Sequence, residues 1–277
     1  MNKILVTTDF SKNSKAGMRF AIQLATQHKF RLTFFHSFHI EKTPPRGEPV
    51  FESYQKSEFT SIKTRLCHFV EAVYKSIGIV PENMECVVKS SSLTDINIMN
   101  YAVQNEFSFI CISRSGEGKQ TRGFGPNTFN LVTKSEVPVI AVPDSYRRSK
   151  ITSILYASDL FNLENEVKKV VDFARPLKSK IELLHFNVPS DHASDLKLLE
   201  KTINQFSSYR INFHMENLDI TETFITNLQR AIKKSKPSMM IMFRHQNRNF
   251  FERLFMPGRA SRYLFQAEIP LLVFKNV

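Results

Sequence analysis

Short β-branched and aromatic runs alternate along this chain with stretches whose apolar residues return every three to four positions. In the first half the strand-like runs are Lys3 to Thr7, Arg31 to Phe38, Met84 to Lys89, Phe107 to Ile112 and Val137 to Val142. The second half has Ile151 to Ala157, Lys180 to Phe186, Ile211 to Glu216, Ser238 to Phe243 and Ile269 to Phe274. After the first run, Met18, Ala21, Ile22 and Ala25 fall on one helical face, with Ser11 or Asn13 placed to cap the helix. Each half therefore reads as five strands alternating with four helices. Parallel neighbours need a crossover connection, which a helix usually supplies, so the pattern predicts α/β architecture with two doubly wound five-stranded parallel sheets.

The halves are copies of one plan. "KILVTTDFSKNSKAGMRFAIQLATQHKFRLTFFHSF" at 3 to 38 aligns with "ITSILYASDLFNLENEVKKVVDFARPLKSKIELLHFNV" at 151 to 188, which sets Asp9 on Asp159 and His36 on His185. "SEVPVIAVPD" from Ser135 likewise matches "AEIPLLVFKN" from Ala267. The polar stretch "PDSYRRSK" marks the boundary, giving a first domain over 1–143, a linker over 144–150 and a second domain over 151–277. "HIEKTPPRGEPV", residues 39 to 50, reads as a loop from its prolines and glycine. The second half has only "NVPSDH" there, so a larger lid is expected over the first.

Composition adds a compartment. Of the 277 residues 42% are hydrophobic, enough for a packed core in each half. The formal charge of +12 is spread singly among acids, which reads as a solvated surface rather than a dedicated anion-binding tract. Cys67, Cys86 and Cys111 form no CxxC pair and are odd in number, against a disulfide framework or a zinc knuckle. The amino terminus lacks the apolar core of a secretory signal, and no apolar run approaches the roughly 20 residues that span a bilayer. The expectation is a cytoplasmic protein without a membrane partner.

Three features together resemble the universal stress protein family in its tandem two-domain form. They are the strand ending "TTDFS" before a helix, the histidine closing the second strand in "FFHSF", and the glycine-containing segment before "VPVIAV"; the second half repeats them as "YASDL", "LLHFN" and "FFERLFMPGRASRYLFQAEIPLLVF". The resemblance implies a Rossmann-like, adenine nucleotide alpha hydrolase-like fold, with the tandem repeat packed as a pseudo-dimer that can dimerise further. It implies a nonenzymatic stress-response binding or signalling protein that holds ATP or AMP at the carboxyl ends of its strands. No metal is expected beyond a magnesium carried by the nucleotide.

The family's phosphate loop, G-x-x-G-x9-G-S/T, lets backbone amides and a helix start approach an anion. In the first half, "SRSGEGKQTRGFGPNTFN" sets Ser113, Gly116 and Gly125 on the glycines, one spacer residue short. Pro126 replaces the hydroxyl residue and removes an amide donor, while Thr128 supplies a hydroxyl nearby. Arg114, Lys119 and Arg122 add positive charge. In the second half Pro257 and Gly258 stand at the third glycine and its hydroxyl residue, both earlier glycines are missing, and Phe250, Phe251 and Leu254 fill the loop. Nucleotide is thus expected in the first domain alone, at Thr8, Asp9, Ser37, Ser113, Gly116, Gly125 and Thr128. Asp159 persists where the loop is lost, so helix capping is the expected role of both aspartates, with a ligand contact added at Asp9.

Other constellations carry less. His28, His36 and His39 lack supporting carboxylates or thiolates for a metal site and read as backbone-bonded. Cys67 and His68, adjacent on a helix, point apart. There is no G-x-S-x-G elbow and no G-x-x-x-x-G-K-[ST] loop, and slow ATP hydrolysis finds no positioned base. Arg244, His245, Arg248, Arg253, Arg259 and Arg262, interleaved with phenylalanine, could hold nucleic acid, but those phenylalanines fall at family packing positions, which argues against it. The alternative to nucleotide binding is a scaffold or interaction module.

Overall fold

The computed structural model describes residues 2–40, 48–81, 84–114, 124–187, 193–206, 208–219, 221–244 and 268–275, with side chains left out at 48–53 and 193–198. The chain divides into two compact units, Met1–Arg148 and Ser149–Val277. In the first unit the elements run β1 (Lys3–Thr7), α1 (Lys15–Gln27), β2 (Arg31–Phe38), α2 (Glu48–Ser76), β3 (Glu85–Ser90), α3 (Thr94–Gln104), β4 (Phe109–Ser113), α4 (Pro126–Lys134) and β5 (Val139–Val142). The second continues with β6 (Ser153–Ala157), α5 (Leu163–Ala174), β7 (Lys180–Asn187), α6 (Ala193–Gln205), β8 (Ile211–Asn217), α7 (Phe224–Ser235), β9 (Met239–Arg244) and β10 (Leu271–Lys275).

Every expected strand is present, with ends displaced by at most two residues. The first unit has strand order β3-β2-β1-β4-β5 and the second β8-β7-β6-β9-β10, and the pairings within each are parallel. Covered on both faces, central strands must be apolar throughout. Ile4, Leu5 and Val6 accordingly have no exposed surface. The chain runs outward from β1 to β3 and then returns to β4 on the other side of β1, leaving a crevice at the carboxyl ends of β1 and β4.

Helix α1 buries a broader face than its spacing predicts. Met18, Ala21 and Ile22 are buried as expected, and so are Phe20 and Gln23. The extra cover comes from the stretch read as linker. Tyr146 packs edge-on against Phe20 with centroids 5.4 Å apart, and Arg148 donates from Nε to Gln23 Oε1 at 2.7 Å. Residues 48–50, read as loop, open α2 instead, because proline is tolerated in a helix's first turn, where its missing amide has no partner to lose. The rest of the expected lid, 41–47, lies outside the described residues. So does the basic cluster beyond Arg244. Among the described residues, no helix is long and apolar enough to cross a membrane.

Candidate functional site

The segment after β1 is built from its own side chains. Thr8 extends the ladder by donating its amide to Phe35 O at 3.0 Å, and Phe10 then takes a φ of 63°, unusual for a residue with a Cβ. Short polar side chains stabilise this bend: Thr8 Oγ1 accepts from Phe10 N–H at 3.0 Å and Asp9 Oδ1 accepts from Ser11 N–H at 3.0 Å. Ser11 Oγ in turn accepts from Ser14 N–H at 3.0 Å, closing the turn that runs into α1, while Asn13 gives its carbonyl to Ala16 N–H. Neither expected candidate caps the helix: the capping position is held by Ser14, which makes no side-chain capping bond, and Ser11 only closes the turn before it. Helix capping by Asp9 is corrected: α1 starts at Lys15, too far along for its carboxylate, which forms an Asx turn instead.

Strand β2 holds this loop from beside. His36 Nδ1 donates to Thr8 O at 2.7 Å, and a carbonyl partner requires that nitrogen to carry the proton. Burial pulls the His36 imidazole below its ordinary value, the Thr8 hydrogen bond opposes, Arg65 lowers it further and Asp9 raises it. The Phe10 ring lies 4.3 Å from the imidazole and 5.5 Å from Phe69, with the Arg65 guanidinium 4.4 Å above it.

At the carboxyl ends of β1 and β4 opens a cavity of about 240 Å³. Six of the seven expected site residues line it: Thr8, Asp9, Ser37, Ser113, Gly125 and Thr128. Gly116, like Lys119 and Arg122, lies outside the described residues. The lining also includes Thr7, Ser14, Thr94 and Asn127, which the sequence did not single out. Thr7 is informative: only 4% exposed, its hydroxyl has no hydrogen-bond partner among the described residues. The available sequence signal was the repeat itself, in which Thr7 corresponds to Ala157.

Position in the lining does not make every group available. Ser14 Oγ donates to Ser11 O at 2.8 Å, so in its 2.8 Å contact with Thr8 Oγ1 the threonine must be the donor. The Thr8 proton is therefore committed. Thr128 Oγ1 donates to Ser113 O at 2.9 Å, tying α4 to β4 rather than facing a phosphate. Gly125 N–H donates to Arg114 O at 2.8 Å, and at φ −64° the residue has an ordinary extended backbone that does not require glycine. These are corrections to the expected phosphate cradle. The donors left at the start of α4 are the amides of Asn127 and Thr128, since Pro126 has none and no side chain caps the helix.

Ser37 and Ser113 retain hydroxyl protons. Ser37 Oγ accepts from Asn97 Nδ2 at 2.8 Å, and Ser113 Oγ accepts from Gly17 N–H at 2.9 Å. The latter bond needs close approach of α1 to β4. A Cβ on Gly17 would lie 3.1 Å from both Ser113 N and Ser113 Oγ.

The second unit repeats the loop but not the cavity's polarity. Leu160 has φ 62°, its amide bonds to Ser158 Oγ at 3.0 Å, Phe161 N–H bonds to Asp159 Oδ1 at 3.1 Å, and His185 Nδ1 bonds to Ser158 O at 3.0 Å. Asp159, like Asp9, closes an Asx turn rather than capping a helix. By strand register, Thr7, Ser37 and Ser113 correspond to Ala157, Phe186 and Phe243. Phe243 packs against Tyr156 and stacks on Phe274. Three hydroxyls of the first unit are thus apolar groups in the second.

Residues 1–143 match the Universal stress protein family. The chain belongs to this family. Its fold is shared with a universal stress protein from Archaeoglobus fulgidus, at a TM-score of 0.65 and 16% identity, over 99% of this chain and 98% of that one. A putative universal stress protein from Pseudomonas aeruginosa matches at a TM-score of 0.58 and 13% identity, over 99% and 93%. Both halves of this chain take part in those matches, so the tandem layout belongs to the shared fold. No curated protein matches the chain in sequence.

Proposed function

We propose that the first unit binds an adenine nucleotide, AMP or ATP, and that the protein acts as a cytoplasmic stress-response binding or signalling module rather than as an enzyme. One observation carries this reading: the same cavity is lined by an acceptor, the Asp9 carboxylate, and by Asn127 and Thr128 in the first turn of α4, which no side chain caps. A nucleotide is complementary to such a site, because its amine or ribose hydroxyls donate while its phosphate accepts. The volume, about 240 Å³, lies below the roughly 300–1,000 Å³ usual for small-molecule pockets, which favours the monophosphate over the triphosphate. In this reading Asp9 orients the nucleoside, Thr7, Ser37 and Ser113 offer hydroxyl protons along the cavity, and the start of α4 receives the phosphate. The second unit takes no nucleotide. Its pairing with the first as an intramolecular counterpart of a family dimer, and any further dimerisation, are carried by the family resemblance alone.

The rival reading is a scaffold without nucleotide. It draws on the internal commitment of the Thr8 and Thr128 hydroxyls and the Gly125 amide. Calorimetric titration with AMP, ADP and ATP separates the two. Saturable binding that weakens about 10- to 100-fold in Asp9→Ala, the loss of a charge-assisted hydrogen bond, supports the nucleotide site. Binding of AMP should survive a chelator, since no metal is needed to hold a monophosphate in this arrangement. Absence of any saturable response at millimolar nucleotide decides for the scaffold.

A further inference from the structure

The two units differ at one further place, the sheet face beneath α3 and α7. Strand register sets Thr33, Phe35 and Val87 of the first unit on Glu182, Leu184 and His214 of the second. The helix ends correspond as closely. Ser108 and Ser238 donate their amides to Lys3 O and Ser153 O at 2.9 and 2.8 Å, and two residues earlier Glu106 and Lys236 both take positive φ, 52° and 46°. Counting back from these landmarks places Tyr101 of α3 on Ala231 of α7. In the first unit the Tyr101 ring lies 4.9 Å from Phe35 and 5.9 Å from Phe107, so the chain packs this space with its own aromatic side chain. In the second unit the tyrosine is an alanine and Phe35 is a leucine. A cavity of about 200 Å³ opens there between the sheet and α7, with Leu155, Leu184 and Ala231 as its apolar lining.

A buried carboxylate lines the same cavity. Strand alternation puts Glu182 on one face with Leu184, and its side chain is only 5% exposed. Lys180 Nζ lies 2.7 Å from Glu182 Oε1, Asn212 Nδ2 donates to Oε1 at 3.3 Å, and His214 Nε2 donates to Oε2 at 2.5 Å. Burial pushes the Glu182 carboxyl up, but the hydrogen bonds from Lys180, His214 and Asn212 outweigh it and hold the group below its ordinary value. It is therefore an ionised acceptor. A carboxylate has about four lone-pair sites, so three donors leave one, on Oε2. The neighbouring charges are matched in pairs, Lys180 with Glu182 and Lys234 with Glu216 at 2.6 Å. Such a lining suits an uncharged ligand with an apolar body and one hydrogen-bond donor.

We propose that the second unit binds a small neutral phenol in this cavity, its ring in the place that Tyr101 fills in the first unit and its hydroxyl donating to Glu182. The first unit supplies the template, since its own phenol ring already packs the equivalent space. Where a large apolar group is replaced by a small one and the neighbours do not collapse, the space left accepts the missing ring from solution. At about 200 Å³ the cavity lies below the roughly 300–1,000 Å³ usual for small-molecule pockets, which restricts the ligand to a single ring. A ring carrying a carboxylate or an ammonium group would bring an unmatched charge into a lining whose charges are already paired, and is excluded by that cost. The inference stands apart from nucleotide binding in the first unit and is tested without a nucleotide.

The test is titration of the isotope-labelled full chain with para-cresol, the tyrosine side chain freed from its backbone, followed by amide chemical shifts. The expected result is a saturable response at millimolar cresol, confined to residues 181–184, 212–216 and 228–235. Toluene, which lacks the donor, should bind about tenfold more weakly, the loss of one hydrogen bond to a charged acceptor, and para-methylbenzoate should not bind. Ala231→Tyr supplies the ring from the chain itself and should abolish the response. Leu184→Phe, which restores only the first unit's Phe35, should weaken it severalfold and keeps the question decidable if the tyrosine variant does not fold. The absence of a saturable response, shifts centred on the cavity beside Asp9 instead, equal affinity for toluene, or undiminished cresol binding by folded Ala231→Tyr or Leu184→Phe would each overturn the inference.

Discussion

Thr7 and Gly17 hold the sharpest distinctions available to single substitutions. The Thr7 hydroxyl is buried against the cavity and has no partner among the described residues, whereas its methyl packs like that of valine. Thr7→Val should therefore leave the urea midpoint unchanged or raise it, because an unsatisfied buried polar group costs about 1–3 kcal/mol. The same variant should weaken AMP binding about three- to tenfold, the net worth of one hydrogen bond. Gly17→Ala behaves oppositely. Its Cβ would press on Ser113 N and Oγ at 3.1 Å, and such overpacking costs about 1–3 kcal/mol, only partly offset by the better helix propensity of alanine. A lowered urea midpoint with a weaker ligand response is the expected result. His36 supplies a pH signature. Its folded-state affinity for a proton is below the ordinary 6.5 because of burial first, so the unfolded chain protonates earlier as pH falls. The stability tied to neutral His36 is whole above about pH 6.5 and is lost as pH drops through the folded value. Chemical denaturation across pH 5 to 8 should show this slope, and His36→Gln should flatten it.

Elements are held at the site by side-chain ties whose removal can be read separately from ligand contact. Thr128 fastens α4 to β4, and Asn130 Nδ2 fastens α4 to α3 by donating to Asp95 Oδ2 at 2.7 Å. In the second unit Tyr156 on β6 donates to Glu166 on α5, both essentially without exposed surface. Tyr156→Phe should cost about 1–3 kcal/mol, because it takes a donor from a buried carboxyl. Adding Glu166→Leu should recover part of that loss by removing the group that needs solvating, measured as a double-mutant cycle in urea. Strand existence and type were legible in the sequence, because two-sided burial forces continuous apolar runs that are bounded by polar turns. Ends moved by a residue or two, as in β4, expected over Phe107 to Ile112 and observed at Phe109–Ser113. The role of Asp9 was misread as well: a carboxylate before a helix resembles a cap, and only the start of α1 at Lys15 reveals the intervening turn.

Across the whole molecule the two units share a chain plan and differ in chemistry, and ligand protection should report that difference. With AMP at about 100 times its dissociation constant, a binding unit gains about 2.7 kcal/mol. Hydrogen exchange should then slow across 7–14 and 124–134 while 157–164 stays unchanged. Equal slowing in both units would contradict confinement of the site to the first. The sequence by itself determined the tandem α/β plan and the order of elements, because strand periodicity and a crossover topology bring the carboxyl ends of particular strands together whatever the loops do; the choice of Thr8, Asp9, Ser37, Ser113, Gly125 and Thr128 among the residues there came from the family resemblance, and all six line the cavity. Only the tertiary structure decided which of those groups are spent on one another and which face the cavity. A hydroxyl has one proton, and its recipient, Ser14 for Thr8 and the Ser113 carbonyl for Thr128, is fixed by how the turn after β1 folds and how α4 docks on β4.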